Sequence, residues 1–228
     1  MMAQTIGTLR EQQLHAALKT WLQLPGDALE QKVSGYHIDI VRGDLLIEIQ
    51  TGNFTKLRTK LAKLLDQNRV LLVYPVAETK WIVRQSKRGK ELGRRRSPKR
   101  GRLEHLFDEL MYIMDVVPHP NFRFLVLLTE QEEIWRDDGR GSWRRRHWSI
   151  SDRRLLGVVG SKEFNGLGDY LSLLPANLPD PFTHRNLADA LRAPVWLSTR
   201  MSYCLRKMGC LEERGKAGRA MLLAPVTR

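Results

Sequence analysis

A run of alternating apolar and polar residues between positions 36 and 50 constrains the fold more than any other feature of this 228-residue sequence. Residues 36–41 and 45–50 carry aliphatic side chains at about every second position, a pattern typical of strands with one buried face. Gly43 and Asp44 lie between them, and a glycine at the first position of a two-residue loop suits a type II′ turn. The sequence therefore predicts an antiparallel β-hairpin here.

The turn also sets the pairing of the two strands. It places Asp39 directly opposite Glu48, and His37 opposite Gln50, on one face of the hairpin. The other face carries the isoleucines of both strands, which are Ile38, Ile40, Ile47 and Ile49. Opposed carboxylates have Cβ atoms about 4.5–5.5 Å apart and repel each other, whereas hard oxygen ligands at this separation suit Mg²⁺. Asp39 and Glu48 are therefore candidate metal ligands; the alternative is a solvent-facing hairpin whose acids pair with lysines of the next helix.

The segments that flank the hairpin complete an α-β-β-β-α-β order. Apolar residues at helical spacing predict an amphipathic helix over residues 8–23, and a weak strand follows near 28–33. A second helical pattern covers residues 54–66. The continuous apolar run at 69–76 is typical of a strand that is buried on both faces.

Three strings in this order, LREQQLHAAL, GYHIDIV and LLIEIQTGNF, resemble the core of the PD-(D/E)XK nuclease superfamily. The resemblance covers about residues 8–76 and is nearest to the pattern of archaeal Holliday-junction resolvases and Mrr-like endonucleases. It implies an α/β fold with a restriction-endonuclease-like αβββαβ core. It also implies Mg²⁺ (or Mn²⁺) as the cofactor.

The same resemblance assigns roles to particular residues. Asp39 and Glu48 become the metal ligands, helped by the backbone carbonyl of Ile49. Glu11 is implied as the helix carboxylate that often joins them, and Glu30 is the alternative if the weak strand supplies it. The implied reaction is metal-assisted hydrolysis of a phosphodiester bond.

Gln50 departs from the family pattern, because it occupies the position where these nucleases usually have a catalytic lysine. Glutamine can hold a water molecule by hydrogen bonding, but it offers no positive charge to the transition state. Lys56 and Lys60, four residues apart on one face of the predicted helix, are the candidates to replace that lysine. In this interpretation Gln50 positions the attacking water, and Lys56 or Lys60 contacts the scissile phosphate.

The charge of the chain is concentrated in three zones. The formal net charge is +13, with +9 in residues 84–102, +5 in 140–154 and +6 in 182–228. The rest of the chain is therefore acidic. Clustered arginines indicate contact with the phosphates of a nucleic acid; the alternative is solvated arginine-rich loops without a ligand.

The first two basic zones give two local predictions. Residues 84–102 contain glycines, a proline and no apolar periodicity, which predicts a mobile arm that becomes ordered against DNA through Arg94, Arg95 and Arg96. Residues 103–114 read as a helix, residues 122–135 begin as a strand, and residues 142–150 read as a further strand. There Trp143 and Trp148 alternate with Arg144 and Arg145, so the strand either stacks and clamps DNA or buries its tryptophans and hydrates its arginines.

The C-terminal residues resemble a winged helix-turn-helix. Thr183 is a predicted N-cap for the helix RNLADALR, a longer helix follows at 195–209, and a hairpin at 211–226 has its tip at 215–218. In such a fold the second helix would present these residues to the major groove: Trp196, Ser198, Thr199, Arg200, Tyr203 and Arg206. Lys216 and Arg219 in the wing would contact the backbone. Winged helices that bind proteins are the alternative.

Together these features predict two domains, a nuclease-like domain at 1–165 and a winged helix at 166–228. The predicted function is a Mg²⁺-dependent endodeoxyribonuclease that acts on double-stranded or branched DNA in recombination, repair, mobile-element biology or defence. The architecture resembles that of the endonuclease subunit of heteromeric transposases and of some restriction enzymes. The alternatives are a catalytically inactive DNA-binding regulator and, less favoured by the winged helix, an RNA-processing nuclease.

Several classes are excluded or disfavoured by composition. Two cysteines, Cys204 and Cys210, form neither a four-ligand zinc site nor a disulfide framework. The sequence has no apolar run long enough for a membrane span and no signal-peptide pattern, which predicts a cytoplasmic protein with no membrane partner. A homodimer would suit double-strand cleavage.

Overall fold

The structure, a computed structural model, describes residues 13–226 and has a mixed α/β fold. The helices are α1 (Gln13–Leu22), α2 (Leu57–Leu65), α3 (Phe107–Leu110), α4 (Leu167–Leu171), α5 (His184–Leu191) and α6 (Val195–Lys207). The strands are β1 (Ala28–Val33), β2 (Tyr36–Arg42), β3 (Leu45–Ile49), β4 (Arg69–Gln85), β5 (Glu91–Arg96), β6 (Phe122–Arg136), β7 (Ser149–Phe164), β8 (Leu211–Ala217) and β9 (Ala220–Pro225). Short 3₁₀ turns cover Phe54–Lys56, Leu103–Leu106 and Trp143–Arg145. No helix within residues 13–226 is long and apolar enough to cross a membrane.

Seven strands form one mixed sheet in the order β1-β2-β3-β4-β6-β7, with β5 also paired to β4. The pairs β1–β2, β2–β3, β4–β5 and β6–β7 are antiparallel, whereas β3–β4 and β4–β6 are parallel. The first half of β4 pairs with β3 and its second half with β5. From α1 to β4 the elements follow the α-β-β-β-α-β order predicted from the sequence.

The register of the β2–β3 hairpin agrees with the prediction only near the turn. Ile40 pairs with Ile47, and Gly43 has φ 57°, as the predicted turn requires. Beyond that pair the two strands separate, and the Asp39 carboxylate accepts a hydrogen bond from the Ile49 backbone N–H. The predicted direct pairings of Asp39 with Glu48, and of His37 with Gln50, are therefore wrong as ladder pairs.

Two hydrophobic clusters lie on the two faces of the sheet. The smaller one packs Leu14 and Leu18 of α1 against the isoleucines at 40, 47 and 49. The larger one contains α2, α3 and the middle strands, and it also includes Ile38, which the sequence grouped with the other isoleucines.

The larger cluster continues into the C-terminal helices. Phe107 of α3 belongs to the same buried cluster as Met201, Cys204 and Leu205 of α6. Phe164 stacks on Tyr170 with ring centroids 4.6 Å apart, across the predicted boundary at residue 165. The two predicted domains therefore share one continuous core, while their division stays a prediction from the sequence.

The basic segment 84–102 differs from the predicted mobile arm. Its first half is the end of β4 and the strand β5, which pair as a hairpin. The Arg94 guanidinium lies 3.9 Å from the centroid of the Trp81 ring, and its Nε donates to Glu132 Oε1 at 2.6 Å. The ladder satisfies the backbone polar groups, a source of order that apolar periodicity does not reveal.

Two further elements are shorter than predicted. The helix expected at 103–114 is reduced to a 3₁₀ turn and the four-residue α3, followed by turns. The strand expected at 142–150 begins only at Ser149, because Trp143–Arg145 forms a 3₁₀ turn. Arg146 and His147 then adopt positive φ values of 51° and 64°, which a continuous strand does not allow.

The C-terminal elements follow the predicted helix–helix–hairpin order. The Thr183 side chain accepts from the Asn186 backbone N–H at 3.2 Å and so caps α5, as predicted. Gly209, with φ 77°, follows α6. The hairpin tip is Gly218-Arg219 rather than the wider loop predicted, because Gly215 lies within β8 at a bulge.

Candidate active site and nucleic-acid interface

Asp39 lies where β2 and β3 separate, facing α1. Its Oδ2 atom accepts from the Ile49 N–H at 2.8 Å and lies 3.3 Å from His15 Nε2, while Oδ1 is 3.9 Å from Lys19 Nζ. Burial would raise the pKa of this carboxyl group. The hydrogen bonds and positive charge of His15, the Ile49 N–H and Lys19 outweigh that effect and hold the Asp39 pKa below its usual value. Asp39 is therefore ionised in the folded protein at neutral pH.

Glu48 projects toward α2 and is only 8% exposed. Lys60 Nζ donates to Glu48 Oε1 at 2.6 Å and to the His37 carbonyl oxygen at 2.8 Å. The other carboxylate oxygen, Oε2, is buried and has no hydrogen-bond partner within the described residues. Burial and then the charge of Asp39 raise the pKa of Glu48 to about 7, against the opposing effect of Lys60. A buried acceptor without a partner is costly, so this atom requires an explanation.

The chemistry of these oxygen donors suits a hard divalent cation. Asp39, the Glu48 Oε2 atom and the Ile49 carbonyl oxygen are all oxygen ligands of the kind that Mg²⁺ and Mn²⁺ accept. A cation would supply the missing partner of Glu48 and remove its repulsion with Asp39. No three His, Cys, Asp or Glu side chains in residues 13–226 form a metal-holding group. The donor set available in this part of the chain is thus two carboxylates and a carbonyl, completed by water.

His15 belongs to this site but is absent from the sequence-based prediction. Its Nε2 atom lies 3.1 Å from the Ile49 carbonyl oxygen, beside the Asp39 carboxylate. The available signal is its spacing, since His15 follows Glu11 by four residues within the helix that the sequence predicts over 8–23. Glu11 itself lies outside the described residues. Glu30, the alternative to Glu11, forms an ion pair with Lys19.

Neither the Gln50 nor the Lys56 side chain hydrogen-bonds to Asp39 or Glu48 within residues 13–226. The Gln50 side-chain amide donates to the Gly52 carbonyl at 2.5 Å and is 3.4 Å from that of Asn53, so it holds the loop after β3. Lys56 is exposed. Lys60, the other lysine considered, is the one that contacts Glu48. Its position on α2 places a positive charge beside the carboxylates, which the glutamine at position 50 does not provide.

The comparisons place this site within a family. Residues 12–165 match the family described as "Domain of unknown function (DUF8091)". The chain belongs to that family. An uncharacterized protein of Treponema pallidum (strain Nichols) is 32% identical over 219 residues, which cover 96% of this chain and 86% of the relative. No solved structure matches the chain.

The family match includes the first two basic zones, and the fold brings them together. Asp137 N donates to the Gln85 carbonyl at 3.0 Å, so the ends of β4 and β6 are joined. The Arg84 guanidinium lies 5.4 Å from the centroid of the Trp148 ring. We call residues 84–96 and 137–148 the basic arm. Along β4, about 40 Å separates Val73, beside the carboxylate site, from Gln85 in this arm.

The side chains of the basic arm differ in how far contacts with other residues restrain them. Trp143 is 74% exposed, and the Arg144 guanidinium lies 5.5 Å from the centroid of its ring. Arg145 donates to the Trp148 carbonyl at 3.2 Å. Arg94 is held by Glu132, and Arg96 donates to Thr79 Oγ1 at 3.1 Å. Arg95, the remaining predicted DNA contact on β5, is exposed.

The helix α6 lies beyond the family match and presents fewer residues than predicted. Ser198 is fully buried and donates to the His184 carbonyl at 2.7 Å, so its prediction as a groove contact is wrong. Arg200 forms an ion pair with Asp108 and lies against α3. Trp196 is half exposed beside His105, with ring centroids 6.1 Å apart. Apart from Ser198, every predicted contact on α6 and the hairpin stays wholly or partly exposed: Trp196, Thr199, Arg200, Tyr203, Arg206, Lys216 and Arg219.

Proposed function

We propose that this chain is a divalent-metal-dependent endonuclease that hydrolyses phosphodiester bonds in double-stranded or branched DNA. The observation that carries the proposal is the carboxylate site. Asp39 is held ionised, and Glu48 keeps one buried oxygen without a partner, at the point where two strands separate. The α-β-β-β-α-β order of the elements around the site agrees with the PD-(D/E)XK resemblance. Contacts from α1 hold Asp39, and a contact from α2 holds Glu48.

Asp39, Glu48 and the Ile49 carbonyl would hold the cation. When bound there, Mg²⁺ or Mn²⁺ polarises a phosphate oxygen and lowers the pKa of a water molecule. His15 and Lys19 hold the Asp39 carboxylate in place through their contacts with it. Lys60 keeps a positive charge next to Glu48, where it can stabilise the negative charge that develops on the phosphate.

The basic arm supplies the surface for DNA. Its exposed arginines and the exposed Trp143 offer phosphate contacts and a stacking surface. The C-terminal helix–helix–hairpin unit adds cations at Lys216 and Arg219, which is the basis for proposing a winged-helix reader there. Because the basic arm lies about 40 Å from the carboxylate site along β4 (about 12 residues at ~3.3 Å each), DNA that contacts both would extend along this strand.

A catalytically inactive DNA-binding regulator is the second candidate. It is favoured by Gln50, whose amide is engaged with the loop backbone and brings no charge to the carboxylates. In this case the basic arm would still bind DNA, and the carboxylate site would have no catalytic activity.

Cleavage assays separate the two candidates. Plasmid and four-way-junction DNA would be incubated with the wild type, Asp39→Ala and Asp44→Ala, in Mg²⁺, Mn²⁺ or EDTA. Asp44 is a matched control because it is an exposed acid on the same hairpin. The nuclease requires metal-dependent cleavage that disappears in Asp39→Ala and persists in Asp44→Ala. Tight binding without cleavage of either substrate favours the regulator.

A further inference from the structure

A cavity of about 590 Å³ is lined at one end by the loop that follows β3. Its lining includes Leu14, which precedes His15, and Thr51, which follows Gln50. It continues over the middle of β4 and β6, between the carboxylate site and the basic arm. The volume falls within the range of pockets that enclose a small organic ligand.

A short loop fixes two cations at the rim of this cavity. Ser97 N donates to the Lys80 carbonyl at 2.7 Å, and Gly101 N donates to the Ala77 carbonyl at 2.9 Å. A Cβ atom at Gly101 would lie 2.4 Å from the Ala77 carbonyl oxygen, so the loop approaches β4 closely enough to require glycine. Lys99 and Arg100 lie between the two anchors and line the cavity. The backbone of Lys99 and Arg100 is therefore held against β4, whereas the backbone of residues at the tip of a free loop is not.

The inner wall of the cavity carries oriented neutral groups. The Gln131 amide, 5% exposed, donates to Thr129 Oγ1 at 2.8 Å, and Thr129 in turn donates to the Val76 carbonyl at 3.2 Å. This chain fixes the direction of the amide. Burial, followed by the charges of Glu109 and Asp108, raises the pKa of Tyr74, so its hydroxyl stays neutral and can donate. An oriented amide and a neutral hydroxyl are suited to the polar edge of a nucleobase.

Two of the three acids of the wall are paired with cations, and the third, Glu109, accepts from the Phe54 backbone N–H at 2.9 Å. Glu133 accepts from Lys80 at 2.8 Å and from the Trp135 indole at 3.2 Å, and Arg153 lies 3.7 Å from it. Asp108 is paired with Arg200. The rim cations Lys99 and Arg100 have no acidic partner among the described residues, so they give the cavity entrance a positive charge.

We propose that this cavity binds one unpaired or flipped nucleotide of the DNA strand beside the scissile phosphate. Lys99 and Arg100 contact the flanking phosphate, and the base enters to meet Gln131 and Tyr74. A base that is paired within a duplex cannot enter such a pocket without leaving the stack. The inference deepens the proposed nuclease function, on which it rests, by selecting branched, bulged or flapped DNA as the substrate class.

The test measures binding rather than cleavage. Fluorescence anisotropy in EDTA would compare the wild-type affinity for three labelled duplexes: fully paired, with one bulged nucleotide, and with an abasic residue at the bulge. We expect the base-containing bulge to bind about tenfold more tightly than the abasic one, which is within the range for pocketing one base. Equal affinity for the two bulges would overturn the proposal.

Variants test whether the preference for the base-containing bulge arises in the cavity. Gln131→Leu should remove the discrimination between base and abasic bulge and leave the affinity for paired DNA unchanged. The double variant Lys99→Ala/Arg100→Ala should lose most of the bulge affinity, whereas Lys87→Ala/Arg88→Ala, at the β4–β5 turn, should weaken all three duplexes equally. If the two double variants behave alike, the rim has no special role. Thermal melting confirms that each variant is folded.

Failure of this proposal can be distinguished from failure of the nuclease proposal. If the protein prefers the base-containing bulge but never cleaves, the nucleotide pocket is supported and the nuclease function is wrong. Metal-dependent cleavage with no base preference would do the reverse.

Discussion

The carboxylate site and the basic arm use charge in opposite ways. At the carboxylate site, Asp39 and Glu48 are largely buried and each has cationic neighbours at fixed distances. In the basic arm, Arg144 is exposed and its neighbour is a tryptophan that is exposed too. Buried charges interact strongly and shift each other's pKa, whereas exposed charges are screened by salt. The first region is therefore suited to chemistry and the second to affinity.

The largest effect is expected from Asp39→Ala, which removes the ionised group of the carboxylate site. Cleavage should fall by about 10³-fold or more, as for loss of a principal electrostatic group, while DNA affinity changes little because the arm is intact. Single-turnover cleavage and anisotropy measure the two quantities. A variant that loses binding and cleavage together would contradict the separation of the two regions.

The second prediction concerns Lys60→Met, which leaves Glu48 buried without its cation. Breaking a buried pair costs about 3–5 kcal/mol when the remaining charge persists, but Glu48 can escape by taking up a proton. The loss of unfolding free energy should therefore be larger at pH 8.5 than at pH 5.5. Urea unfolding at both pH values measures it.

Lys56→Met is the control for this change, because Lys56 is an exposed lysine on the same segment. It should change the unfolding free energy by less than about 0.5 kcal/mol at either pH. Equal losses of unfolding free energy in the two variants would mean that the Glu48–Lys60 contact does not stabilise the fold.

The third prediction follows from the raised pKa of Glu48, about 7 in the metal-free fold. Between the usual carboxyl pKa and about 7, the folded protein binds more protons than the unfolded chain, so stability falls as pH rises. The fall should be on the order of 2–3 kcal/mol. Asp39, with its lowered pKa, contributes only at more acidic pH, where its stabilisation is lost.

Glu48→Gln should abolish this pH dependence. Urea unfolding from pH 5 to 8 in EDTA, compared between wild type and variant, measures the difference. Parallel stability curves would show that Glu48 titrates normally and that its buried oxygen is solvated. Added Mn²⁺ should stabilise the wild type most above pH 7, where Glu48 is ionised.

The smallest effect is expected from Arg144→Ala/Arg146→Ala in the basic arm. Two lost phosphate contacts should reduce the slope of log affinity against log salt by roughly two units. Arg94→Ala/Arg96→Ala should reduce it less, because those side chains are held by Glu132 and Thr79. Anisotropy titrations from low to moderate salt compare the pairs. Identical slopes for both variants would remove the distinction between held and free arginines.

Local patterns predicted those parts of the fold that local physics decides. The β2–β3 turn follows from Gly43 and the cap of α5 from Thr183. The predicted register holds as far as Ile40 and Ile47. In each case neighbouring residues supply the turn conformation, the hydrogen bond or the buried face, so no distant part of the chain is needed.

Other elements depend on distant partners and could not be predicted. The basic segment becomes β5 because β4 offers an unpaired edge beyond β3. Ser198 is buried because α6 packs against α5. There its hydroxyl donates a hydrogen bond to the His184 carbonyl. His15 joins Asp39 only when α1 lies across the separated strands.

By itself, the sequence determined that Asp39 and Glu48 lie on neighbouring strands, since alternation with a two-residue turn leaves few other registers. It also determined that the cations are clustered rather than dispersed. The tertiary structure decided which groups touch: His15 and Lys19 on Asp39, Lys60 rather than Lys56 on Glu48, and the joining of two basic zones into one arm. The reason is physical, because the pKa and pairing of a charge depend on burial and on neighbours a few ångströms away, which packing between distant segments creates.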